Sequence, residues 1–264
     1  MKIAYERTGQ GPPLVLLHPL GADRHIWAPI VHRLRDRREV VTIDLPGFGE
    51  SPPLLQTPTP RALAQAVAQL LGSIEISRPH VAGNSLGGWL TLELGLSGVA
   101  RTATAIAPAG LWPQPLIPKA GFTHTLANRL LPLIGPVARS APGRRLLLSG
   151  TVAHPGRVPG KDAAHLVRAY AQGPGFIAVN NAMRAGRFEG LERIRCPLTL
   201  IWPEHDRLIN RPPWLPDNVD NVALEDAGHV PMWDAPDELA EILLAAGGGD
   251  RVGPAAQARS GATA

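Results

Sequence analysis

The chain has 264 residues, of which 44% are hydrophobic and 18% are charged, and this composition excludes an intrinsically disordered protein. No apolar run approaches the roughly 20 residues that a membrane-spanning helix needs, so no membrane span is expected. The formal net charge is +4, but the densest basic run, residues 33–40, is interrupted by Asp36 and Glu39, which favours a solvated helix end and argues against a nucleic-acid partner.

The N-terminus and the cysteine content bear on location. Glu6 and Arg7 stand where a secretion signal would have its apolar segment, so no such signal is predicted. Cys196 is the only cysteine, which excludes an internal disulfide and any motif of paired cysteines. These features favour a reducing interior, and the predicted location is the cytoplasm.

Short apolar runs alternate with segments of helical periodicity along the chain. The predicted elements, in chain order, are a strand at 12–18, a strand at 39–49, a helix at 60–74, a strand at 79–84, a helix at 86–97, strands at 101–110, 196–203 and 221–228, and a helix at 236–246. This alternation predicts an α/β fold with a mostly parallel central sheet and helices on both faces.

One long segment interrupts the alternation. Residues 111–195 are rich in Pro, Gly and Arg and contain helical pieces, so we predict a helical lid inserted into a core formed by 1–110 and 196–246. Residues 247–264 are small and polar, and a disordered tail without chemistry is expected there.

The strongest chemical signal is "GNSLG", residues 83–87, a Gly-x-Ser-x-Gly pattern between a predicted strand and a predicted helix. A strand that reverses into a helix this sharply strains the residue at the turn, and only small neighbours fit around it. Ser85 would then lie at a helix N-terminus, where free N–H groups favour a developing negative charge. The pattern by itself is equally compatible with an unreactive tight turn.

A serine nucleophile requires a base and a carboxylate that orients it, in the chain order Ser, Asp or Glu, His. Asp206 follows the fifth predicted strand and His229 follows the sixth, at the strand ends where sites in open α/β sheets form. Glu204 and His205 are expected to be exposed, and Asp226 to stabilise its own turn. Most of the other histidines are expected to be solvated, among them His32, His124, His154 and His165.

Acyl transfer also needs an oxyanion hole, usually two backbone N–H groups. Leu86, which follows the serine, is the first predicted donor. The loop after the first predicted strand should supply the second donor, and Leu20 is the best candidate there. His18 and Gly21 would shape that turn.

The combination of "LLHPLG", "DLPGFGES", "GNSLGG", "IWPEHD" and "GHVPMWDAPDEL" resembles the α/β-hydrolase superfamily, of the lid-bearing kind, over about residues 1–246. The resemblance implies a Ser85–Asp206–His229 triad with an oxyanion hole at Leu20 and Leu86. Two positions depart from the family: Pro19 replaces the usual glycine after His18, and Pro203 replaces the usual glycine after Trp202.

Serine at the nucleophile position implies cleavage of a carboxylic ester, thioester or lactone. The related haloalkane dehalogenases and epoxide hydrolases use an aspartate there. One alternative is a carbon–carbon bond hydrolase of ring-cleavage diketones, because "GNSLGG" resembles their "GNSMGG" and Trp233 lies four residues after His229. Another is a non-catalytic, ligand-binding member of the fold.

The predicted substrate is a small, partly apolar molecule, and its identity and the oligomeric state are left open. Candidate pocket residues are Trp112, Phe122, Phe176 and Trp233, although apolar residues in a lid more often pack it against the core. No cofactor is expected. No metal site is expected either, because the histidines lack ligand spacing with a carboxylate or cysteine along the chain.

Overall fold

A seven-stranded sheet lies at the centre of the computed structural model, which describes residues 2–117, 121–216 and 219–248. The strands are β1 (Tyr5–Thr8), β2 (Pro13–Leu17), β3 (Glu39–Ile43), β4 (His80–Asn84), β5 (Thr102–Ile106), β6 (Leu198–Pro203) and β7 (Asp220–Leu224). Their spatial order is β1-β3-β2-β4-β5-β6-β7.

The pairing confirms the mostly parallel sheet. Every pair from β3 to β7 is parallel, and only β1 is antiparallel, along β3. All six predicted strands are present. The edge strand β1 was not predicted because its four residues are short, polar and largely exposed, and so carry no apolar run.

Helices cover both faces of the sheet, as predicted. The helices of the described residues are α1 (Ala28–Leu34), α2 (Pro60–Ser73), α3 (Leu86–Leu96), α4 (Phe122–Arg129), α5 (Leu131–Ala138), α6 (Ala141–Leu148), α7 (Gly160–Gln172), α8 (Phe176–Arg184) and α9 (Pro236–Gly248). The side chains of α2 and α3 pack in one apolar cluster with the sheet, and those of α1 and α9 pack in a second cluster.

Helices α4 to α8 lie between β5 and β6 and form the helical insertion, here residues 111–117 and 121–195. Ile134, Leu148 and Val158 belong to a small apolar cluster of its own. Phe176 and Met183 of α8 instead join the main core. The insertion is therefore anchored to the sheet domain through α8.

Helix α9 continues to Gly248, two residues into the segment predicted to be a tail. The rest of that segment, residues 249–264, lies outside the described residues. None of the described helices is both long and apolar enough to cross a bilayer.

Candidate active site

Ser85 lies between β4 and α3 in a left-handed backbone conformation, with φ 55° and ψ −110°. A non-glycine residue adopts this conformation only where its surroundings impose it. The start of α3 packs tightly against the end of β2. A Cβ at Gly87 would lie 2.1 Å from the carbonyl oxygen of Leu17, so only glycine permits this approach. A Cβ at Gly83 would lie 2.2 Å from the oxygen of Gly87. The glycines therefore make the sharp turn possible.

The backbone of Ser85 is held at both ends. Its N–H donates to Ile106 O at the end of β5 (2.9 Å), and its carbonyl accepts from Trp89 N and Ala109 N (both 3.0 Å). Its hydroxyl has no hydrogen-bond partner among the described residues, and Ser85 is 7% exposed. The nucleophile candidate is thus rigidly placed, with its hydroxyl left available.

Asp206 and His229 meet directly. His229 Nδ1–H donates to Asp206 Oδ2 at 2.8 Å, and the side chains are 5% and 3% exposed, respectively. Asp206 Oδ1 accepts from the backbone N–H groups of Leu208 (2.7 Å) and Ile209 (3.0 Å). Three donors therefore orient the carboxylate. The bond to Nδ1 leaves His229 Nε2 as the nitrogen that can accept a proton.

The loop that carries His229 is tied to the serine turn through Asn84. The Asn84 side-chain amide donates to His229 O (2.9 Å) and to Ile106 O (3.3 Å), and the residue is fully buried. No hydrogen bond joins Ser85 to His229 within the described residues. Asn84 thus links the two loops at the backbone.

His18 orders the predicted oxyanion loop. Its Nδ1–H donates to Pro19 O (2.8 Å), and its Nε2 accepts from Leu45 N–H (2.9 Å). Both nitrogens are satisfied only in the neutral ring, and burial lowers the pKa of His18 below its ordinary value. The ring therefore stays neutral and fastens the loop to the end of β3.

The loop after His18 makes a tight turn in which Ala22 N–H donates to Pro19 O (3.2 Å) and Gly21 has φ +76°. Leu20 N–H is not used in that turn. Leu86 N–H is the first of α3, where helix N–H groups have no acceptor in their own helix. Neither group donates to another described residue. Both predicted oxyanion donors are therefore unpaired, and Pro19 accepts the turn's hydrogen bond without having to donate one.

Asp234, which the sequence analysis gave no role, holds the His229 loop against the helical insertion. Its carboxylate accepts from the backbone N–H groups of Gly228 (2.8 Å), Ala153 (2.9 Å) and His154 (2.9 Å). Val230 N–H adds a bond to Thr151 O (2.9 Å). In the sequence, Asp234 is marked only by its place five positions after His229 in "GHVPMWDAPDEL".

The four candidate pocket residues lie in different surroundings. Phe176 is buried and lies against the oxyanion loop, since a Cβ at Gly21 would come within 3.1 Å of its ring. Trp112 packs edge-on against Trp89, with 5.7 Å between the ring centroids. Trp233 packs between the sheet domain and the insertion, whereas Phe122 is 73% exposed.

The neighbouring polar residues are partly as expected. Glu204 and His205 are exposed, and Asp226 accepts a bond from His154 Nε2 (2.6 Å) that joins its turn to the insertion. His32 is exposed. The other three histidines expected to be solvated are half-buried and partnered: His154 with Asp226, His124 stacked on Phe176, and His165 with Asp23. Long-range partners of this kind leave no local signal in a sequence.

Away from the triad, Asp23, His25 and His165 bring potential ligand atoms within 4.8 Å of one another. Asp23 and His25 are two residues apart, but His165 lies 142 positions after Asp23, so spacing along the chain did not reveal the trio.

Comparison with known proteins shows the family to which the chain belongs. Residues 14–242 match the sequence model described as "Alpha/beta hydrolase family". The chain is 38% identical over 139 residues to a pimeloyl-acyl-carrier-protein methyl ester esterase of Aeromonas hydrophila, a match covering 48% of this chain and 53% of that relative. This chain therefore spans about half the length of that relative.

Two further similarities cover more of the proteins concerned. The epoxide hydrolase EphH of Mycobacterium tuberculosis is 29% identical over 205 residues, which cover 69% of this chain and 91% of that one. A solved thermophilic esterase from Thermogutta terrifontis aligns with a TM-score of 0.70 over 91% of each chain at 22% identity. At that identity the structural likeness establishes the shared fold alone.

Proposed function

The chain belongs to the α/β-hydrolase family, and from that premise we propose that it is a serine hydrolase cleaving a carboxylic ester, thioester or lactone. In this proposal Ser85 is the nucleophile, His229 is the general base and Asp206 orients His229. The N–H groups of Leu20 and Leu86 form the oxyanion hole.

The observation that carries the proposal is the bond of 2.8 Å between His229 Nδ1 and Asp206 Oδ2, beside a serine held at φ 55°. The carboxylate fixes the imidazole tautomer in which Nε2 is the base. A strained serine at a helix N-terminus is the arrangement that exposes a nucleophile at the carboxyl edge of such a sheet. Both halves of the machinery are therefore supported by independent geometry.

The reaction follows from these roles. Ser85 Oγ attacks the acyl carbon while His229 Nε2 takes its proton, and the carbonyl oxygen becomes an oxyanion that accepts from Leu20 and Leu86 N–H. The intermediate collapses to an acyl-serine, and His229 gives its proton to the departing alcohol or thiol. A water then attacks the acyl-serine with His229 again as base, which releases the acid and restores Ser85.

We expect Ser85→Ala to lower kcat for p-nitrophenyl esters by about 10⁶-fold and to abolish covalent labelling by a fluorophosphonate. Asp206→Asn should lower kcat by about 10⁴-fold, because the amide allows the wrong imidazole tautomer. The matched control is Ser97→Ala at the exposed C-terminal end of α3, which should retain full activity. Unchanged ester hydrolysis by Ser85→Ala would overturn the proposal.

The helical insertion would act as the lid, with residues 1–110 and 196–246 as the core. Support comes from burial: Ser85 and His229 are 7% and 5% exposed, so a substrate must enter past the insertion. The buried ring of Phe176 beside the oxyanion loop favours a partly apolar substrate. A panel of esters differing in acyl length and charge tests this preference through kcat/KM.

The same assays separate the alternatives. A carbon–carbon bond hydrolase would cleave a ring-cleavage diketone faster than any ester in the panel. Asn84 is the asparagine that "GNSLGG" shares with the "GNSMGG" of those hydrolases, but its amide hydrogens are engaged by the oxygens of Ile106 and His229. A non-catalytic binding protein would show neither hydrolysis nor fluorophosphonate labelling.

Epoxide hydrolysis, the activity in the name of the EphH relative, fits Ser85 poorly. An alkoxide that opens an epoxide forms an ether, which water activated by a histidine does not cleave. A carboxylate nucleophile would instead form an ester, and water activated by a histidine does cleave an ester. An epoxide is therefore expected to give no turnover.

A further inference from the structure

A second group of chemically active side chains lies where the helical insertion crosses the oxyanion loop. Asp23 caps the short 3₁₀ turn Arg24–Trp27 that follows that loop, His25 lies within this turn, and His165 lies in the middle of α7. His165 Nε2 is 2.7 Å from Asp23 Oδ2, and His25 Nδ1 is 3.2 Å from Asp23 Oδ1. One carboxylate thus meets two imidazoles that come from different parts of the chain.

The donor set has the chemistry of a transition-metal site. Two imidazole nitrogens and a carboxylate suit Zn²⁺, Co²⁺ or Ni²⁺, whereas Mg²⁺ and Ca²⁺ prefer oxygen ligands. Tetrahedral coordination with metal–nitrogen distances near 2.0–2.1 Å separates neighbouring ligand atoms by about 3.3 Å. The three donor atoms already lie within 4.8 Å of one another, so small side-chain movements would suffice.

Burial and support favour coordination over a loose surface cluster. The Asp23 side chain is 9% exposed and also accepts from His25 N–H (3.0 Å), while the two imidazoles are 47% and 43% exposed. The carboxylate is therefore fixed and an ion can reach the site from solvent. Glu6 Oε1 lies 3.9 Å from His25 Nε2 and accepts from Arg24 Nε (2.9 Å), so a carboxylate stands near the outer nitrogen of His25 without being hydrogen-bonded to it.

We propose that Asp23, His25 and His165 form a site for one divalent transition-metal ion that joins α7 of the insertion to the oxyanion loop. The ion replaces any proton on His25 Nδ1 and His165 Nε2, and these protons go to solvent. Tyr170, on the same helix, lies against Gly21 of the oxyanion loop, since a Cβ there would meet its ring at 2.7 Å. An ion at this position restrains the insertion directly above the loop that holds Leu20.

The test is a titration of the tag-free, chelator-treated chain with Co²⁺, followed by its visible d–d absorption bands, and with Zn²⁺ by calorimetry. We expect one ion per chain and a rise in Tm with Zn²⁺. His25→Ala and His165→Gln should each abolish the bands, and glutamine at 165 keeps an amide donor toward Asp23. His32→Ala, which removes an exposed histidine elsewhere, should bind Co²⁺ as the wild type does.

The readout is independent of the proposed hydrolysis, because Ser85→Ala should bind the ion normally. Slower hydrogen exchange in α7 upon Zn²⁺ addition would show that the ion restrains the insertion. Absence of Co²⁺ bands would mean that the trio is only an ion pair of Asp23 with its histidines. Bands that persist in both histidine variants would place the ion elsewhere, and either result overturns the proposal.

Discussion

Asn84 is a buried residue beside Ser85, the proposed nucleophile, and its side-chain amide donates a hydrogen bond across 145 positions of the chain to His229 O. It does not contact the base itself but holds the backbone from which His229 projects. Its Oδ1 is buried without a partner among the described residues, so the amide is retained at a cost in stability. Asn84 is therefore a positioning residue for the proposed triad.

We expect Asn84→Ala to lower kcat for an ester about fivefold with little change in KM, because a bond of about 1 kcal/mol to the His229 backbone is lost. Steady-state kinetics on p-nitrophenyl esters measure this split. Asn128→Ala, which loses a side-chain bond to Ala171 O within the insertion, is the matched control and should keep the wild-type kcat. A normal kcat in Asn84→Ala would contradict the positioning role.

At the scale of elements, the fold depends on how closely α3 approaches β2. Leu17 O stands 2.1 Å from the place a Cβ would take at Gly87, and this oxygen belongs to rigid backbone. No side-chain rearrangement relieves such a contact. The approach brings the helix N-terminus, with Leu86 N–H, next to the loop of Leu20.

Gly87→Ala is therefore expected to prevent folding or to cost at least about 3 kcal/mol, the range of severe backbone clashes. Gly72→Ala, in α2 with no atom within 4 Å of the added Cβ, should instead stabilise the protein by about 0.5–1 kcal/mol. Urea unfolding of the two variants measures both effects. A soluble Gly87→Ala variant of wild-type stability would refute the steric argument.

The Asp234 carboxylate joins the loop of His229 to the insertion, beside the apolar anchor that α8 provides. Asp234→Ala removes an acceptor of three backbone N–H groups and should cost about 3–5 kcal/mol. Asp234→Asn should cost less, because an amide oxygen in the place of Oδ2 keeps the bonds to Ala153 and Gly228. Urea denaturation curves of the two variants and the wild type measure these differences in unfolding free energy.

Asp237→Asn is the control for this pair, since Asp237 is exposed and pairs only with Arg33 in the described residues. It should change stability by less than about 1 kcal/mol. Equal losses in unfolding free energy for Asp234→Ala and Asp237→Asn would contradict the proposed role of Asp234 in joining the insertion to the His229 loop.

For the whole molecule, buried neutral histidines predict sensitivity to acid. Burial lowers the pKa of His80 from 6.5 to about 4, and burial also lowers the pKa of His18. Between pH 6.5 and pH 4 the unfolded chain binds protons at these histidines that the folded chain does not. The free energy of unfolding therefore falls as pH falls from about 6.5 toward 4. Above pH 6.5 the buried neutral histidines make their full contribution to the free energy of unfolding.

His80→Gln should flatten this dependence, because glutamine cannot take up the proton. We expect the wild type to lose about 2–3 kcal/mol more than His80→Gln between pH 7 and pH 4, as measured by urea unfolding. His32→Gln, at an exposed position, should follow the wild-type curve. Parallel curves for wild type and His80→Gln would contradict the low pKa of His80.

Much of the fold could be predicted because its signals are local. The six predicted strands and the helices that begin at Pro60, Leu86 and Pro236 each carry an apolar pattern within a few residues. Strand β1 could not be predicted in this way, because an edge strand buries little surface and needs no apolar pattern. The helical insertion could be located as an interruption, but its anchoring to the core through α8 depends on packing that no periodicity records.

The sequence by itself determined the order of Ser85, Asp206 and His229 and their places after β4, β6 and β7. Because parallel strands end at the same edge of a sheet, these places also imply a shared edge. Only the tertiary structure decided how loops distant in the chain meet at that edge. It brought Asn84 to the His229 backbone, Asp234 to the insertion, and His165 to Asp23 and His25. These contacts depend on the three-dimensional course of the loops, which local residue patterns do not specify.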